Sequence, residues 1–211
     1  MRLNCWKVLP VKVDLSSWKA LQYLNLGDTQ LGPFPTLPST IKHLFLNDNP
    51  HLHAEPNEIE PAFLPSLETL DCSATFIGSE TLKAMTAETI KGGHLKQLAI
   101  GNRLSGVAAV PVEEEFPASE SVEDLSLAYL IAAENRTIQT VSLYPNVKRL
   151  DVSASKVTGV AVKHFVNMGV KYLNLTECPE VSGDAVEWAR GMGVEVEFSF
   201  PSRSSRPVAF R

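Results

Sequence analysis

An α/β solenoid, with a curved parallel β-sheet on its concave face and helices and irregular segments on its convex face, is the fold class this sequence predicts. Three observations predict it. A phrase of the form Leu-x-x-Leu-x-Leu-x-x-polar recurs along the 211 residues, its copies follow one another at a near-constant interval, and several of the intervening segments carry helix signals. A short period of this kind marks a stack of identical units, none of which can bury its own apolar stripe without a neighbour.

The phrase opens as Leu21-Gln-Tyr-Leu24-Asn-Leu26-Gly-Asp-Thr29, followed by Ile41-Lys-His-Leu44-Phe-Leu46-Asn-Asp-Asn49 and Leu67-Glu-Thr-Leu70-Asp-Cys72-Ser-Ala-Thr75. It continues through Leu95–Ile100, Val122–Leu127, Val147–Val152 and Val170–Cys178, giving seven full copies. Leucine at position four falls at 24, 44, 70, 98, 125, 150 and 173, so the gaps are 20, 26, 28, 27, 25 and 23 residues. Partial copies flank them: Leu3-Asn-Cys5 lies 21 residues before the first, and Val196-Glu-Phe198 lies 23 residues after the last. The repeats therefore define a leucine-rich-repeat solenoid over residues 1–198, with 199–211 as a tail. Positions one, four and six must point inward, because side chains on a strand alternate between its two faces. The polar residue at position nine (Thr29, Asn49, Thr75, Ser155, Cys178) is suited to bond the backbone groups of the turn leaving the strand.

Return segments differ along the chain. Ser79–Met85, Thr158–Val166 and Ser182–Ala189 each begin with a hydroxyl residue suited to an N-cap, and apolar residues follow at helical spacing. Gly169 and Gly191/Gly193 stop the last two. Prolines 33, 35 and 38 exclude a long helix from the first returns. His51–Pro65 and Val110–Ser121 are longer or more polar than the repeat needs, which predicts loops on the rim.

With 44% apolar and 20% charged residues, the composition is that of a soluble domain; no apolar run reaches membrane-spanning length and no secretory signal opens the chain. A net charge of −5 disfavours a nucleic-acid binder. Lys42, Lys96, Lys148 and Lys171 share position two and would line one edge, but Glu68 and Glu123 interrupt them. Cys5, Cys72 and Cys178 fill repeat positions and read as core thiols in a reducing compartment. His51 and His53 lack the partners that would complete a metal site, and the glutamates at 113–115 read as a solvated loop. No nucleophile motif, phosphate loop or dinucleotide fingerprint occurs, so neither catalysis nor a cofactor is expected.

The copies Val147–Ala161 and Val170–Ala185 resemble the cysteine-containing subtype of leucine-rich repeat, characteristic of F-box substrate receptors of SCF ubiquitin ligases. The ending from Asp184 through Pro201 is similar, more narrowly, to fungal F-box proteins with N-terminal tetratricopeptide repeats, a group whose members direct ubiquitylation at the replisome. The resemblance covers the repeats alone. It implies a nuclear or cytoplasmic, non-catalytic receptor that holds a protein substrate on its concave face, with the ligase adaptor bound through a segment outside this sequence. In related receptors the tail runs back across the concave face, which would bring Arg206, Phe210 and Arg211 toward Asp124 and Asp151; simple disorder of the last residues is the competing expectation. A repeat scaffold or inhibitor that binds a signalling protein without ubiquitin chemistry is the competing expectation.

Positions three and five face outward on the concave side, and there the residue types favoured at interfaces form two groups. Tyr23, His43 and Phe45 lie toward one end, and Asp124, Arg149, Asp151 and Tyr172 toward the other. The expectation is that both groups contact a protein partner, the first by desolvated packing and the second by charge; the alternative is that Phe45 packs under a loop or tail and that Asp124, Arg149 and Asp151 satisfy one another across adjacent strands.

Overall fold

A computed structural model describes residues 2–4 (backbone), 13–52, 64–101, 116–130 and 132–200. In chain order the elements are β1 (Arg2–Asn4), β2 (Tyr23–Asn25), β3 (His43–Phe45), β4 (Thr69–Asp71), α1 (Ser79–Lys91), β5 (Gln97–Ala99) and β6 (Asp124–Ser126), then α2 (Glu134–Ser142), β7 (Arg149–Asp151), α3 (Gly159–Met168), β8 (Tyr172–Asn174), α4 (Gly183–Gly191) and β9 (Glu195–Glu197). Among the described residues these strands form one sheet of nine, ordered as in the sequence and parallel throughout, a solenoid-like α/β arrangement. Both partial copies contribute strands, β1 and β9.

The register follows the phrase. Each strand is positions three to five, and the leucines at position four pair from Leu24 to Leu44, Leu70, Leu98, Leu125, Leu150 and Leu173, ending on Val196. All of those leucines are buried, as are positions one and six, so the core runs as a continuous stripe between the sheet and the return segments. Backbone bonds extend the ladder past each strand end: the position-six amide donates to the next strand's position-five carbonyl, as Leu26 to Phe45 at 2.8 Å and Leu127 to Asp151 at 2.7 Å.

Position eight is left-handed in six copies: Asp28, Asp48, Ala74, Tyr129, Ala154 and Glu177 have φ between 52° and 59°. One left-handed residue turns the chain out of the strand, and position nine then satisfies the carbonyls it leaves. Thr29, Thr75 and Ser155 donate to their own position-six carbonyls on Leu26, Cys72 and Val152, at 2.8, 2.7 and 2.5 Å. Cys178 Sγ–H donates across the stack to Val152 at 3.2 Å, and burial pushes its thiol up, out of the reactive range. Cys72 is likewise buried; Cys5 lies outside the described residues.

The helices correct the sequence reading in three places. Ser79 is the first helical residue and is buried; the N-cap of α1 is Gly78, without a side-chain bond. Thr158 and Ser182 do cap α3 and α4, accepting from the amides of Val160 and Ala185. Gly169, at φ 96°, ends α3, but Gly191 is still helical and α4 closes at Met192. Helix α2 has no counterpart in the expectation, because its buried face is Thr137, Thr140 and Val141 rather than an apolar stripe, and no hydroxyl precedes it. Of the expected loop Val110–Ser121, the described part is irregular, with Phe116 and Ser119 buried and Ala118 and Glu120 exposed; residues 102–115 and 53–63, with His53 and Glu113–Glu115, lie outside the described set.

Glu134 opens α2 and caps its neighbour. Its Oε1 accepts from Thr158 N at 2.8 Å, Thr158 Oγ1 at 2.5 Å and Ala161 N at 3.2 Å, at the N-terminus of α3. Burial raises this carboxyl, but the bonds from Thr158 and Ala161 outweigh it and hold the group below the ordinary value of 4.5. A depressed folded pKa gives stability that is present above that value and lost as pH falls through the folded one. Glu134→Ala is expected to cost about 1 kcal/mol near neutral pH, as lost caps do. Glu134→Gln should keep most of that while flattening the acid limb, read from denaturant midpoints as pH is lowered past 4.5.

Candidate functional site

The outward residues of the strands, at positions three and five, form an open sheet face opposite the core. In-register strands about 4.8 Å apart align these positions into two rows that cross the stack.

At one end, Tyr23 lies 5.3 Å from Phe45 and 6.1 Å from His43 between ring centroids, tilted by 42° and 47°. All three rings are half-buried. His43 Nδ1 is 3.1 Å from Thr69 Oγ1, whose hydrogen is directed to Gln97 Oε1 at 2.9 Å. The Thr69 hydroxyl has one hydrogen, so the His43 nitrogen is the donor in that contact. A polar row on β3, β4 and β5 thus leads from the aromatic group toward the second cluster.

There Arg149 Nε stands 3.7 Å from Asp124 Oδ2 and its guanidinium lies 4.0 Å over the Tyr172 ring, a salt bridge and a cation–π contact on one side chain. Tyr172 donates its hydroxyl to Glu197 Oε2, and that bond, with burial, pushes the phenol up to about 12. Burial pushes Asp124 above the usual carboxylate value; Arg149 opposes the rise and Asp151 adds to it. Burial likewise raises Asp71, against its bonds to Ser73.

The predicted residues therefore meet as two groups. Tyr23, His43 and Phe45 form the first, and Asp124, Arg149 and Tyr172 the second. Asp151 sits beside Asp124 but spends Oδ1 on its own turn, accepting from Ser153 N at 2.9 Å. Asn25, Asp71 and Asn174 make the same bond to Gly27, Ser73 and Thr176, so position five is partly a turn-forming position. Sequence reasoning missed Thr69, Gln97 and Glu197. Carrying the register into Val196-Glu-Phe198 would have found the last, since it places Glu197 beside Asn174.

Along the edge at position two, lysines alternate with glutamates: Lys42 Nζ is 2.6 Å from Glu68, Lys148 2.7 Å from Glu123, and Lys96 3.8 Å from Glu123. The hydrogen bonds from Lys42 and Lys148 hold Glu68 and Glu123 below the usual range. Lysines and glutamates thus pair across neighbouring strands along this edge. The residues 201–211 lie outside the described set, with Arg206, Phe210 and Arg211.

Among the described residues, no group of three or more His, Cys, Asp or Glu side chains could hold a metal ion, and no helix is long and apolar enough to cross a membrane. No protein-family model matches the chain, and no curated protein matches it in sequence.

Proposed function

We propose that this chain is a leucine-rich-repeat recognition domain whose open, concave sheet face holds a protein substrate, as the repeat half of an F-box receptor does for an SCF-type ubiquitin ligase. The observation that carries the reading is the pairing of a half-buried aromatic group with a pre-arranged Asp124–Arg149–Tyr172–Glu197 network on one sheet face. Fixed side chains lose little entropy on binding, and aromatics and arginine dominate interface energetics. The chain contributes binding, and ubiquitin transfer belongs to other subunits.

The test immobilises the wild-type domain beside Phe45→Ala/Arg149→Ala and identifies captured nuclear proteins by mass spectrometry. Proteins lost with the variant should be ubiquitylated in cells in a manner that depends on the gene encoding this chain. Equal capture by both forms overturns the face as the binding surface. Loss of capture without any dependence of ubiquitylation favours the scaffold reading.

A further inference from the structure

We infer that the segment recognised on this face is basic, an extended stretch with a bulky apolar side chain at one end and lysines or arginines at the other, and not a phosphorylated or acidic one. This deepens the receptor reading above and rests on it. The outward residues of β6 to β9 are Asp124, Ser126, Arg149, Asp151, Tyr172, Asn174, Glu195 and Glu197, four carboxylates against one guanidinium. The guanidinium is already engaged: Asp124 takes its Nε side and the Tyr172 ring takes one face. An incoming phosphate would meet Asp151, Glu195 and Glu197 around a single arginine that already faces Asp124.

Burial sharpens the preference. Asp124 has its carboxyl raised chiefly by desolvation, against Arg149 and with a smaller push from Asp151, so an added cation favours the buried carboxylate, whereas an added anion disfavours it. Tyr23, His43 and Phe45 supply the other end of the footprint, a tilted aromatic wall against which an apolar side chain can pack. Between them, Thr69 bonds to both His43 and Gln97, offering a polar but uncharged stretch. From β3 to β6 is three strand spacings, about 14 Å, and to β9 six, about 29 Å; at about 3.3 Å per extended residue, four to nine residues separate the apolar anchor from the cations.

The probe is a fluorescent peptide with one phenylalanine, a glycine–serine spacer and three lysines or arginines, compared with the same peptide carrying glutamates or phosphoserines in place of the basic residues. The protein is the whole chain, and the variant is Asp124→Asn/Asp151→Asn/Glu197→Gln. Amide oxygens keep the acceptors that Ser153 N and the Tyr172 hydroxyl use, so the turn and the Tyr172 contact survive neutralisation. The expected result is saturable polarisation with the basic peptide only, weakened about tenfold or more by the variant and by raising salt from about 0.05 to 0.5 M. Failure of the basic peptide to bind at about 1 mM, equal binding of the acidic or phosphorylated peptide, or indifference to the variant each overturns the inference. The acid-versus-base comparison on wild type stands even if the variant misfolds. Where partners depend on Phe45 and Arg149 but ignore the neutralised variant, recognition on this face survives and the basic-segment inference alone falls.

Discussion

Gly101→Ala is expected to unfold part of the stack, costing about 3 kcal/mol or more, at the upper end of overpacking substitutions. A Cβ at this buried position would stand 2.2 Å from the Ala128 carbonyl oxygen and 2.6 Å from the Ala128 nitrogen, both backbone atoms of the neighbouring copy. No rotamer change relieves a clash with backbone. The backbone on both sides is pinned as well: Gly101 accepts from Ala74 N at 3.1 Å, and the adjacent Tyr129 N donates to Ser153 at 2.8 Å. Relief would mean prising β5 from β6. In a stack whose units contact only their neighbours, such a break divides the molecule. The measurement is chemical denaturation followed by circular dichroism, with limited proteolysis; cleavage is expected near the junction, and an unchanged midpoint would show that the two copies can separate at no cost. Gly27→Ala makes the contrast, because its closest contact is the flexible Asn47 side chain at 2.6 Å, and a much smaller loss is expected.

Asn49→Ala ranks beside it. Asn49 is wholly buried at position nine of its copy and serves two copies at once. Its Nδ2 donates to the carbonyls of Leu26 and Leu46 at 2.8 Å and approaches that of Asn47 at 3.1 Å. Its Oδ1 accepts from Leu31 N at 2.8 Å and from Thr29 N at 3.2 Å. Truncation strands several of these groups away from water, and each abandoned buried group costs about 1–3 kcal/mol, so a loss of roughly 3 kcal/mol or more is expected. Asn49→Asp should be at least as damaging, because it removes both donors and aims a carboxylate oxygen at carbonyls. Thr75→Ala, which loses one bond to Cys72, should cost about 1 kcal/mol on the same assay. If Asn49→Ala proves no worse than Thr75→Ala, then the bridging role assigned to the amide is wrong.

What the sequence determined by itself is whatever recurs. The spacing of leucines dictated that strands lie side by side in order, because only stacking covers a stripe at positions one, four and six; the register from Leu24 to Val196 follows from it. Position nine was legible for the same reason: a recurring turn is served by a recurring donor, as at Thr29, Asn49, Thr75 and Ser155, although Leu130 holds that place in the copy of β6. The site was legible as rows, since a fixed register places every outward residue beside its counterpart, and Tyr23 with His43 and Phe45, or Asp124 with Arg149, could be paired on paper.

Tertiary structure decided what does not recur. Helix α2 is held by contact with α3 and by buried threonines, not by an apolar period, so propensity and pattern gave it no signal. The cap that Glu134 gives α3 joins residues 24 apart, through a side chain whose direction the neighbouring helix sets. Gly101 looks like any turn glycine until Ala128 is placed against it. Within the site, the stacking of Arg149 on Tyr172 and the bond from Tyr172 to Glu197 depend on side-chain torsions that packing selects. A repeating pattern determines which residues are neighbours, because backbone hydrogen bonding fixes strand register; only the packed side chains determine which atoms of those neighbours meet.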